Sequence, residues 1–108
     1  MAKFYLNQLP EKERTKLIGK FYDAINCLKT REEVRSFFRD LLSPDEIAML
    51  VRRIEVARFL RKGITYEEIR AKLGVGKDKV TNVQKSLSRH GEGYNLMIER
   101  LEKNNLFK

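Results

Sequence analysis

TYEEIRAKLGVGKDKVTNVQKSL runs from Thr65 to Leu87, and the spacing of its apolar residues decides the fold. Ile69 and Leu73 stand one helical turn apart, and Val80, Val83 and Leu87 follow at intervals of three and four. Such spacing lines one face of an α-helix. The glycine-bearing bend Gly74-Val75-Gly76 separates the two sets. Gly74 can take the positive φ that ends the first helix, which costs a residue with a Cβ about 1 kcal/mol or more. Val75 can plug the corner. Two short helices with facing apolar sides and a tight turn make a helix-turn-helix, here at about 65–88.

The second helix of the pair is too polar to be a core helix. Its apolar back is thin, and Lys77, Asp78, Lys79, Thr81, Asn82, Gln84 and Lys85 fill the positions between. Such a helix binds the domain by its back and keeps its front wet, so its first turns can enter a DNA major groove. Lys77 and Lys79 suit phosphates or guanine edges, and Thr81 suits a phosphate or a thymine methyl. Asn82 and Gln84 carry the amide geometry for adenine, with Gln84 turned sideways. Asp78 either accepts from a cytosine amino group or pairs with Lys77 or Lys79. Arg70, Lys72, Lys85 and Arg89 are expected at phosphates. Arg70 stands where many such motifs carry alanine, so it must point outward.

Charge is concentrated in the same place. The chain carries 23 Lys+Arg against 15 Asp+Glu, a net of +8. From Arg61 to Gly91 eight cations face three acids, so five of the eight excess charges fall in under a third of the chain. Double-stranded DNA is the expected partner, and each phosphate contact makes binding salt-sensitive.

Working outward, the remaining sequence is helical throughout. "TREE", "SPDE" and "TYEE" each set a hydroxyl residue three places before a Glu, the capping-box pattern of a helix start. The expected helices are Pro10–Lys29, Arg31–Leu42, Pro44–Lys62, Tyr66–Leu73, Lys77–Ser88 and one near Tyr94–Lys103. "RHGEGYN" is read as a two-glycine break. The third helix is apolar on more than one side: Ile47, Leu50, Val51, Ile54, Ala57 and Leu60 form a stripe, with Met49, Val56 and Phe59 off it. Such a helix is central, and in a short chain a second copy can cover part of it.

At 108 residues, 42% of them hydrophobic, the chain is expected to form one domain spanning 1–108. Cys27 is the only cysteine, which excludes an intrachain disulfide; it falls in an apolar stripe and is expected to be a buried thiol. A cytoplasmic location fits, with no secretory signal and no membrane span. One His and one Cys, far apart in sequence, with no phosphate loop, metal-ligand spacing or nucleophile motif, argue against an enzyme. The rival reading is a helical dimeric interaction module whose basic face meets an acidic partner. RNA binding ranks below both, because most Phe residues lie on apolar stripes.

From Leu41 to Leu87 the sequence resembles the Trp repressor family. "LLSPDE" matches L-[ST]-P-D-E, a long helix follows, then Leu-Gly-x-Gly, a Thr in the reading helix and Ser-Leu at its end. The trailing "GEGYN" is similar to the Gly-Gly-Tyr-like element of the YerC-type branch. The resemblance implies an all-α, six-helix Trp-repressor-like fold with interlocked N-terminal helices, an intertwined homodimer. It also implies a bacterial, nucleoid-associated repressor that reads a palindromic operator, its reading helices about 34 Å apart. Arg53 matches an arginine of the family's corepressor site, and Ser43 replaces a threonine there. At the family's Arg-Gly positions stand Asn82 and Val83, which lack the guanidinium and the room for a flat ring. L-tryptophan is therefore not the expected corepressor. No cofactor is expected, an unknown small-molecule effector stays open, and Arg53 could instead pair with an acid.

Overall fold

The computed structural model describes residues 5–106. After a 3-10 turn at Leu6–Gln8 come six helices: α1 (Glu11–Asn26), α2 (Arg31–Leu41), α3 (Pro44–Arg61), α4 (Tyr66–Leu73), α5 (Lys77–Arg89) and α6 (Glu92–Lys103). Among the described residues there is no strand, as the all-α reading requires. The chain divides into two compact units, one up to Ser43 and one from Pro44 onward.

The first unit holds α1 and α2. Thr30 caps α2, its Oγ1 accepting from the Glu33 amide at 3.1 Å. The Glu33 carboxylate accepts from the Lys29 amide at 2.8 Å. The capping-box pattern had pointed to the amide of Thr30 itself; the amide satisfied lies one residue upstream. Neither helix has a buried residue. Leu17, Ile18, Phe21 and Tyr22 on α1 and Val34 on α2 are exposed, Phe21 by 44%. So many exposed large apolar side chains suit an interaction face rather than a finished core. Cys27, expected to be buried, is exposed at the C-terminus of α1, a helix that has no buried residue.

The second unit holds α3 to α6 and a compact core. Val56, Ala57, Ile69, Val75, Val80, Val83 and Ile98 are buried, with Phe59, Leu60, Ile64, Leu73, Leu87 and Tyr94 packed around them. The C-terminal half of α3 supplies the centre. Val56, which lies off the expected stripe, is fully buried. The N-terminal half of α3 leaves Met49, Leu50 and Val51 exposed. Arg58 is buried in the same helix. Its guanidinium donates to the Glu55 carboxylate at 3.1 Å and lies 4.9 Å from the centre of the Phe59 ring. A charge out of water requires such partners.

Two corners fix the helices that follow. Gly74 ends α4 in the left-handed region, φ 65°, with its amide donating to the Arg70 carbonyl. Gly91 joins α5 to α6 at φ 70°. A Cβ there would stand 2.7 Å from the Leu87 carbonyl oxygen. The expected two-glycine break is therefore a one-glycine corner. Gly93 lies inside α6, which starts at Glu92 rather than near Tyr94. A glycine costs little in a first turn, whose amides lack intrahelical partners in any case. Glu92 also complements the positive end of the helix dipole.

Candidate nucleic-acid interface

α4, the Gly74–Gly76 bend and α5 form the expected helix-turn-helix. Ile69, Val75, Val80 and Val83 are buried, and Leu73 and Leu87 are packed against them. Thr65 caps α4, accepting from the Glu68 amide at 3.3 Å. These residues fix which side of α5 is free.

At about 100° per residue, the back made by Val80, Val83 and Leu87 puts Asp78, Lys85 and Arg89 on the opposite side. Thr81 and Asn82 flank that front. Lys77 and Gln84 fall on one edge, so Gln84 is turned sideways, as its position in the sequence implies. Lys79 and Ser86 fall on the other edge. Lys77, Asp78, Asn82, Gln84, Lys85 and Arg89 are exposed, and Lys79 and Thr81 are half-buried. Arg70 and Lys72 are exposed on α4, and Arg70 projects outward. Lys72 also holds its ammonium 5.6 Å from the centre of the Phe59 ring, which ties its stem to the core while its head stays wet.

α5 begins at Gly76 without a side-chain cap. Its first amides and the positive end of its dipole are open to an anion such as a DNA phosphate. The front is therefore a basic, hydrogen-bonding surface on a helix held by a dry back. It can contact a polyanion along its length and read base edges with Thr81 and Asn82.

The other edge of α5 forms something the sequence reading missed. Lys79, Asn82, Val83 and Ser86 recur at i, i+3, i+4 and i+7, and this stripe meets Arg53 of α3 and Tyr94 of α6 around a cleft of about 250 Å³. The helical spacing was visible in the sequence. That α6 brings Tyr94 to the same place was not. Among the described residues no carboxylate pairs with Arg53 or Lys79, so the ion pair considered for Arg53 does not form there. Ser43, the other expected ligand contact, is exposed and belongs to the first unit, immediately before α3. No helix is long and apolar enough to cross a membrane among the described residues.

Known proteins resemble this chain in sequence or in fold. The profile described as Trp repressor protein matches residues 16–102. The uncharacterized protein YerC of Bacillus subtilis (strain 168) is 34% identical over 92 residues, covering 85% of this chain and 88% of its own. A candidate Trp repressor from Staphylococcus aureus superposes with a TM-score of 0.72 at 28% identity, covering 93% of this chain and 96% of that one. A TrpR-like protein from Eubacterium eligens ATCC 27750 gives 0.73 at 34% identity, covering 86% and 96%.

Proposed function

The chain belongs to the Trp repressor family, and from that premise we propose that it is a sequence-specific DNA-binding transcriptional regulator, a repressor that grips a palindromic operator as a homodimer. One observation carries the reading. α5 is anchored by buried Val80 and Val83 while Lys77, Asp78, Asn82, Lys85 and Arg89 stay exposed on its far side. Lys85, Arg89, Arg70, Lys72, Lys77 and Lys79 hold the phosphate backbone and set the register. Thr81 and Asn82 read bases, with Gln84 at the margin and Asp78 either accepting from cytosine or balancing the neighbouring lysines.

The homodimer is supported by the uncovered stripes of α1 and α2 and the exposed Met49, Leu50 and Val51 of α3. Fully burying one such large apolar side chain is worth about 1.5–3 kcal/mol. A handful of them is enough to hold two copies together in an interlocked arrangement. Two reading helices related by a two-fold axis then face successive major grooves. The site of action is the bacterial cytoplasm, on the nucleoid. L-tryptophan is not the corepressor, because Val83 lines the cleft beside α5 with a branched side chain and Asn82 supplies no guanidinium.

Selection of bound sites from random duplex DNA tests binding, specificity and symmetry together. The expected product is an inverted repeat with half-sites about one helical turn apart. Recovery of no enriched sequence, with binding that also ignores salt, refutes the proposal.

A further inference from the structure

Lys72 has a ready carboxylate partner and does not use it. Glu68 stands four residues before it on α4, the order and spacing that favour an ion pair on a helix surface. Both residues are exposed, yet among the described residues they form no salt bridge. No other acid lies within one helical turn of Lys72. Its ammonium instead lies 5.6 Å from the centre of the Phe59 ring, on α3. Phe59 is half-buried and packed against the core, so its ring is a fixed platform. The Arg58 guanidinium lies 4.9 Å from the centre of the same ring. Glu55 pairs with that guanidinium at 3.1 Å and offsets its charge, so the ring accommodates a second cation.

A ring and a carboxylate leave different things for a phosphate. The ring has no net charge, so an ammonium on its face keeps its full charge and its outward N–H groups. A carboxylate cancels the charge and occupies a donor. We infer that Phe59 is a positioning residue for DNA binding: its ring draws Lys72 away from Glu68 and holds the ammonium un-neutralised for a phosphate. The consequence for DNA rests on the regulator reading above, in which α4 crosses the duplex backbone and Lys72 grips it. Without the ring, Lys72 falls back on Glu68, and the contact is lost although both charged residues remain. Base reading by α5 is untouched.

The test measures affinity of the full chain for a duplex across a salt series, by fluorescence anisotropy, with circular dichroism to check that each variant is folded. Phe59→Leu keeps an aliphatic side chain and removes the ring. It should weaken binding about two- to fivefold per subunit, the worth of one exposed cation–π contact. The slope of log K against log salt should fall by about 1 per subunit. Phe59→Tyr keeps the ring and should bind like the parent. Glu68→Gln should restore both affinity and slope in F59L, because Lys72 then has no carboxylate to fall back on. In a Lys72→Ala background, F59L should change neither. A merely structural role for Phe59 predicts no rescue by E68Q and no dependence on Lys72.

Proton spectra read the contact itself, without DNA. The Lys72 methylene next to the ammonium should resonate upfield of other lysines, shielded by the ring, and return to their position in F59L. E68Q and K72A lie on the surface and supply a comparison free of any packing change. With the ring in place, their effects on DNA affinity should simply add. The proposal is overturned by an unshielded Lys72 methylene, by F59L binding as tightly as the parent, by an equal loss from F59L in the K72A background, or by F59L/E68Q as weak as F59L. Strong coupling between E68Q and K72A in the parent overturns it as well, whether or not F59L folds. Absence of binding to any duplex sinks the regulator reading and the role in DNA binding, while the methylene shift decides the ring contact by itself.

Discussion

Two glycines two residues apart should respond to the same substitution with opposite signs. Gly91 has φ 70°, and a Cβ added there stands 2.7 Å from the backbone oxygen of Leu87. Holding alanine in the left-handed region costs about 1–2 kcal/mol. The close contact adds to it, because the opposing atom is backbone inside α5 and cannot rotate away. A total of about 2–4 kcal/mol is expected for Gly91→Ala. Gly93 has no atom within 4 Å of its added Cβ and lies in the first turn of α6. Gly93→Ala should stabilise by about 0.4–1 kcal/mol, through the entropy of the unfolded chain. The assay is urea unfolding followed by helical circular dichroism, with all three proteins at one concentration, because a dimer's midpoint depends on it. G91A should unfold at lower urea than the parent and G93A at higher urea. Equal midpoints for the two variants, or a stabilised G91A, would refute the corner that orients α6 against α5 and brings Tyr94 to the cleft.

Further outcomes follow from the same contacts. Thr65→Ala removes the acceptor of the Glu68 amide and should cost about 1 kcal/mol in the same unfolding assay. Lys85→Ala and Arg89→Ala should weaken binding to every duplex alike and lower the slope of log K against log salt by about 1 each, read by fluorescence anisotropy. Thr81→Ala and Asn82→Ala should instead change sequence preference by about 1–3 kcal/mol at one operator position; unchanged preferences remove them from the reading set. Phe21→Asp, at an exposed position of α1, should shift sedimentation from dimer to monomer, and an unaltered sedimentation coefficient would show that this face is not the contact between copies.

Much of this architecture was legible in the residues. Ile69, Val80, Val83 and Leu87 announced the helix-turn-helix because a regular helix turns spacing directly into a face, and Gly74 marked the turn because few other residues tolerate its φ. The helix starts at Thr30 and Thr65 were equally readable, since capping is local chemistry. What escaped depends on contacts far apart in sequence. Nothing near Tyr94 says that it will meet Arg53. The Gly91 corner is local, four residues from the Leu87 carbonyl, but residue types do not reveal the φ that brings the two together. Cys27 was misjudged for a related reason: an apolar stripe tells which residues seek cover, not whether the same chain supplies it.

The most direct test of the central claim is a map of amide shifts on adding the selected operator duplex to ¹⁵N-labelled protein. Lys77, Asp78, Thr81, Asn82, Lys85 and Arg89 should move most, with Val80, Val83 and the residues of α1 little changed. Large shifts confined to α1 and α2, with the front of α5 unmoved, would contradict the account.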